Sequence, residues 1–272
     1  MPEPSMFNLS FDDCCYRAPR SYTDIHCHCL PNIDDGPATM SEAIILCRAM
    51  ISDGITSAIA TPHQLGLFGD SNQAAQIREN VCGLNKELKN NGISLVVSPG
   101  ADVRVDERIC RLLKEDKILT LADNNRYILL ELPHQIFIDI EPLLSELSSM
   151  GIRAVISHPE RHSILSKQHQ LLFKWFEYSP AIQITAGSIL GDFGPVVKMA
   201  AWQFLTSGWT VLIATDSHDT QSRRPRMRAA FELISIELGR DVASLVCIEN
   251  PVRILKGEDV LTIPVCRHKE VR

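Results

Sequence analysis

Residues 22–37 read YTDIHCHCLPNIDDGP, a short β-branched run that ends in two histidines and passes into a turn rich in proline and aspartate. His26 and His28 lie two apart on this strand, so the period of two puts both imidazoles on one face and Cys27 and Cys29 on the other. Four side chains split in this way cannot close on one metal without breaking the strand. The zinc-knuckle reading of HCHC therefore fails, and the two cysteines read as packing residues. No G-x-G-x-x-G follows the strand, which weakens a dinucleotide-binding reading.

Six more short apolar runs follow, at 57–60, 94–98, 127–130, 154–157, 181–185 and 210–214. Helix-like segments at 39–52, 73–90, 141–150 and 194–207 separate several of them, and a glycine follows each. Thr39 and Glu42 have the spacing of a capping box, and Gly54 suits the left-handed residue past a helix end. Strands alternating with helices predict parallel pairing through right-handed crossovers, as in an open doubly wound sheet or a closed barrel. No linker or composition shift divides the chain. One α/β domain over residues 21–262 is expected, with 1–20 as an N-terminal extension and 263–272 as a tail.

The composition of the 272 residues, 45% apolar and 22% charged, is that of a globular chain. A net charge of −6 argues against nucleic acid as a partner. No run is apolar and long enough to insert into a bilayer, and MPEPSMFNLSFDDCC lacks the features of a secretory signal, so a cytoplasmic protein is expected. Nine scattered cysteines, an odd number, read as reduced.

Polar residues recur where the runs end: His26 and His28, then His63, Asp102, Glu131, His158, and finally Asp216 with His218. In parallel α/β architectures the carboxyl ends of the strands share one face, where barrel active sites are built. Imidazole nitrogen and carboxylate oxygen without thiolate suit Zn, Mn or Fe, and so many donors exceed one tetrahedral site. Several divalent ions around a bridging hydroxide are suited to phosphate ester hydrolysis, and Arg161 offers a fork for the remaining phosphoryl oxygens.

The ordered motifs DIHCHCLPNIDDGP (24–37), ATPH (60–63), PGADVR (99–104), LLELP (129–133), ISHPER (156–161), QITAGSILGDFG (183–194) and ATDSHD (214–219) resemble one family. It is the bacterial tyrosine phosphatases of the polymerase and histidinol phosphatase (PHP) superfamily, of the capsule and exopolysaccharide type. The resemblance implies a distorted (β/α)7 TIM-like barrel and a centre of three divalent ions, manganese first, with Fe, Zn or Co as alternatives. It implies hydrolysis of phosphotyrosine on a membrane-associated tyrosine autokinase that controls polysaccharide synthesis, and an assembly of several copies. Carried over by motif, one ion would take His26, His28, Asp102 and Asp216, a second Asp102, Glu131 and His158, and a third Asp35, His63 and His218. Arg161 would bind phosphate together with Arg223 or Arg224. Asp102 stands where the family usually has Glu, one methylene longer. Alternative readings are a PHP-type phosphatase of a small phosphomonoester such as histidinol phosphate, and a weakly active, metal-loaded regulatory binding protein.

Two stretches match Cys-x5-Arg, the phosphate loop of thiol-dependent phosphatases: Cys14 to Arg20 and Cys247 to Arg253. Each contains a proline, which lacks the N–H such a loop needs, so both read as non-catalytic. Asp34 reads as a turn former, His134 and His162 as flanking residues, and Arg223, Arg224, Arg226 and Arg228 either as a solvated helix start or as a local basic patch that would help recruit acidic phosphopeptides.

Overall fold

The computed structural model describes residues 21–68 and 72–263. The Cys14 to Arg20 motif, the extension 1–20 and the tail from 264 lie outside the described residues. Each of the seven runs forms a strand: β1 (Tyr22–Cys27), β2 (Ile55–Ala60), β4 (Val96–Pro99), β6 (Tyr127–Glu131), β7 (Arg153–Ile156), β8 (Ala181–Thr185) and β9 (Val211–Ala214). Two short strands were not anticipated, β3 (His63–Gln64) and β5 (Asp102–Arg104). They continue β2 and β4 beyond breaks at Thr61-Pro62 and Gly100-Ala101.

All pairing is parallel, in the orders β1-β2-β4 and β3-β5-β6-β7-β8-β9. The two sheets join where Asp216 N–H donates to the His26 carbonyl at 2.8 Å and His28 N–H donates to the Ser217 carbonyl at 2.9 Å. Counting each broken strand once, this closes a distorted seven-membered barrel. The breaks have a use: they place His63 directly opposite Asp102 in register at the rim.

Ile25, Ile59, Leu129, Val155, Leu212 and Ala214 fill the barrel interior as one buried cluster, distinct from the larger core shared with the helices. Helix α1 (Met40–Asp53) starts as expected, with Glu42 N–H donating to Thr39 Oγ1 at 3.2 Å, and ends at left-handed Gly54. Helices α2 (Ala74–Asn90), α4 (Glu141–Ser149) and α6 (Pro195–Thr206) match the other three expected segments, and α3 (Ile109–Lys114) and α5 (Ala186–Leu190) are short additions. Helix α7 (Met227–Leu238) begins within the basic run at 223–228, one reading of which is a solvated helix start. Its N-terminus is capped from far away, Met227 N–H donating to Asp53 Oδ2 at 2.6 Å. No helix among the described residues is long and apolar enough to cross a membrane.

Gly100 sits at the second break, where a Cβ would lie 2.5 Å from Ile59 Cγ2 in the fully buried interior. Gly100→Ala is expected to cost about 1–3 kcal/mol by overpacking. For a chain of this size, that lowers the melting temperature by roughly 2–10 °C in a thermal scan.

Candidate metal centre

The carboxyl ends of the strands bring all nine candidate donors to one face. β1 carries His26 at its end and His28 just beyond it, β3 begins with His63, β5 begins with Asp102, and β6 ends with Glu131. His158 follows β7, Asp216 and His218 follow β9, and Asp35 comes from the turn after β1. His26 Nε2 lies 3.2 Å from Asp216 Oδ1, 3.3 Å from His28 Nε2 and 3.7 Å from Asp102 Oδ2. His63 approaches Asp102 at 3.5 Å, Asp35 at 3.6 Å and Glu131 at 3.8 Å. His218 Nε2 is 3.1 Å from Asp35 Oδ1, and His158 Nε2 is 4.0 Å from Glu131 Oε1.

The donors fall into four overlapping groups with the compactness to hold an ion. His28, Asp35, His63 and His218 form one, which is the expected third set enlarged by His28. His26 and His28 group with Asp102, and His26 groups again with His158 and Asp216. Asp102 and Glu131 group with His63, whereas the resemblance puts His158 with them.

The surroundings of these side chains fit divalent cations. His26 Nδ1 faces Gln183 Oε1 at 3.0 Å, His28 Nδ1 faces Asp34 Oδ2 at 2.6 Å, and His218 Nδ1 faces the Asp216 carbonyl at 3.0 Å. With each outer nitrogen donating to its oxygen, each Nε2 lone pair would be free to face a cation in the cluster. Burial pushes His26 and His63 down to about 4 and holds His28 and His158 well below the usual imidazole value, so all four are neutral at pH 7. Burial, then Glu131 and Asp216, push Asp102 well above the usual carboxylate range. Neither Asp102 oxygen, nor Oδ1 of Asp216, has a hydrogen-bond partner although all three are buried. A cation beside them would satisfy these atoms. Burial works against charge on Asp216 too, but Arg161, His26 and Arg223 outweigh it and hold the group well below its ordinary value. His158 and Asp216 both have left-handed backbones, φ 28° and 51°, the strain expected where a site dictates conformation.

Beside the cluster opens a cavity of about 320 Å³ lined in part by His63, Glu131, His158, Arg161, Arg223 and Arg104. Arg161 donates to Asp216 Oδ2, as does Arg223 at 2.7 Å, and the Arg161 guanidinium lies 5.0 Å from the Phe193 ring centroid. Of the two arginines left open by the sequence, Arg223 faces the cavity and Arg224 is exposed to solvent. Cys247 is buried on the outer core, and its thiol is pushed above the usual range by burial, unsuited to nucleophilic work.

Sequence reasoning missed four residues. Asp34 is no mere turn former: it accepts from His63 N–H at 3.1 Å and Gly36 N–H at 3.0 Å while orienting His28. Gln183 orients His26 and accepts from His158 N–H at 3.1 Å. Glu160, fully buried, accepts from Thr185 N–H at 2.9 Å and so fixes the turn carrying Arg161. Arg104 pairs with Glu131 at 3.1 Å. The first aspartate of the DD pair and the arginine of PGADVR were visible signals, but a residue that supports a ligand has no spacing of its own. Asp34→Asn is expected to weaken divalent-metal affinity about 10–100-fold in a chelator competition.

A parallel α/β barrel with imidazoles and carboxylates gathered on its carboxyl-terminal rim is the architecture of a barrel metallohydrolase. The family model for capsular polysaccharide synthesis, CpsB/CapC, matches residues 22–256, and this chain belongs to that family. The tyrosine-protein phosphatase YwqE of Bacillus subtilis is 32% identical over 89% of this chain and 94% of its own length. The tyrosine-protein phosphatase CpsB of Streptococcus pneumoniae is 27% identical over 86% of this chain and 98% of its own. A solved structure from a study of YwqE and CpsB, described there as unique metal-dependent tyrosine phosphatases, superposes with a TM-score of 0.84 at 32% identity, covering 89% of this chain and 97% of that one. An organophosphorus hydrolase from Deinococcus radiodurans shares the fold, with a TM-score of 0.51 at 12% identity over 86% of this chain and 92% of that one.

Proposed function

We propose that this protein is a metal-dependent protein tyrosine phosphatase that removes phosphate from a tyrosine autokinase governing capsular polysaccharide synthesis. The observation that carries this reading is the convergence of nine imidazole and carboxylate donors beside Arg161 and Arg223, in a family whose relatives bear that name. His26, His28, Asp35, His63, Asp102, Glu131, His158, Asp216 and His218 would hold three divalent ions. The thiolate-free set of five imidazoles and four carboxylates suits manganese, with iron as the nearest alternative. Such ions supply a nucleophilic water at neutral pH and neutralise phosphoryl oxygens.

The chain itself provides orientation. Arg161 and Arg223 present N–H forks to the phosphoryl oxygens, and Phe193 beneath Arg161 keeps its guanidinium aimed into the cavity. Asp34 and Gln183 hold His28 and His26 in the tautomer with a free Nε2. Residues 21–262 would constitute the catalytic domain, working in the cytoplasm on the inner face of the membrane without entering it, as single or assembled copies.

Turnover of a phosphotyrosine peptide should exceed that of histidinol phosphate at equal concentration with manganese supplied. A reversed preference would favour the small-phosphomonoester reading, and peptide binding without turnover under Mn, Fe, Co or Zn would favour a regulatory one.

A further inference from the structure

The cavity beside the metal cluster is polar or charged on every side except one, where Leu65 and Leu67 line it. Leu65 is 3% exposed and belongs to the core, but Leu67 is 95% exposed, the most exposed large apolar residue described. A leucine so placed contributes nothing to core burial, and its position is nevertheless tightly specified. Leu65 has φ 66°, a left-handed conformation that a branched side chain rarely takes, and Gly66 follows at φ 61°. A Cβ on Gly66 would lie 2.9 Å from Arg104 Cγ, so the Arg104 stem packs directly on this turn. Arg104 is anchored in turn, donating to the Leu132 carbonyl at 3.0 Å and pairing with Glu131 at 3.1 Å. A strained, buttressed turn thus projects one apolar side chain over the mouth of an arginine-lined cavity.

We infer that Leu67 is a specificity-determining residue, the apolar wall that contacts the aromatic ring of an aryl phosphate whose phosphoryl group sits at Arg161 and Arg223. This deepens the phosphatase reading and rests on it. An aryl ester would cover Leu67 with its ring, whereas a short alkyl phosphate would bind the same arginines and leave Leu67 in water. Discrimination by one such contact is worth roughly 10-fold.

Non-hydrolysable phosphonates separate recognition from leaving-group chemistry. Calorimetric binding of phenylphosphonate and methylphosphonate is measured on manganese-loaded wild-type protein, Leu67→Ala and Leu67→Met. Wild type is expected to bind phenylphosphonate more tightly, Leu67→Ala to lose about 10-fold of that affinity with methylphosphonate unchanged, and Leu67→Met to retain it. Equal affinity of wild type for both ligands, or equal losses for both in Leu67→Ala, overturns the inference. So does failure of phenylphosphonate to bind. Because the readout is binding, wild type that prefers phenylphosphonate yet hydrolyses no phosphotyrosine peptide overturns the phosphatase reading and leaves the role of Leu67 in recognition standing. A thermal scan of each variant verifies folding.

Discussion

Asp102→Asn is expected to abolish metal-dependent turnover while leaving the metal-stripped protein as stable as wild type or more so. Asp102 is fully buried, and Glu131 and Asp216 face it as like charges that outweigh the Arg104 guanidinium. Without a cation, burial and these like charges keep the carboxyl protonated, so an isosteric amide replaces one neutral group by another and gives up no favourable charge interaction. With a cation the same substitution removes a donor shared by two of the compact groups. Because a supporting contact alone is worth about 10–100-fold, losing the donor itself should exceed that range in activity. Saturating metal at 100 times its Kd stabilises a folded protein by about 2.7 kcal/mol, and this increment should disappear in the variant. Paired thermal scans with and without manganese read both signs at once. A stripped variant much less stable than stripped wild type would contradict the assignment.

Arg161→Ala is expected to lower kcat on a phosphotyrosine peptide by about 100- to 1000-fold, the usual cost of removing one preorganised donor to a developing anion. Metal content should be unchanged, since Arg161 is no donor to a cation. Two contacts make this side chain more than a surface charge: its bond to Asp216 and its stacking over Phe193. Arg161→Lys should recover only part of the loss, because an ammonium cannot reproduce the planar fork. Steady-state kinetics on the three proteins, with metal analysis of each, tests this. An unchanged kcat with raised KM alone would assign Arg161 to ground-state binding.

The legible parts of the fold were those with a local signature. The seven main strands, the capping box at Thr39 and the glycine stops followed from period and cap chemistry, and the alternation of His26, Cys27, His28 and Cys29 predicted both the inward imidazoles and the outward thiols. The rest depended on distance along the chain. Strands β3 and β5 are two and three residues long and follow breaks at Pro62 and Gly100, too short to have a period. Helix α7 takes its cap from Asp53, remote in sequence, so near Met227 only the basic run hinted at a helix start and no capping residue marked it. At the site, motif and strand-end position gathered the donors, but how near each comes to Glu131, 3.8 Å for His63 and 4.0 Å for His158, depends on side-chain reach that has no trace in spacing. Arg223 and Arg224 are neighbours in sequence, and only the folded loop after β9 turns the first to the cavity and the second to water.

The most direct test of metal-dependent phosphoester chemistry is turnover of a phosphotyrosine peptide by chelator-stripped protein titrated with manganese. No turnover is predicted before metal is added, followed by a rise that saturates near three ions per chain and is unaffected by Cys14→Ser. Full activity in the stripped protein, abolished by Cys14→Ser, would contradict the account and return the chemistry to a thiol.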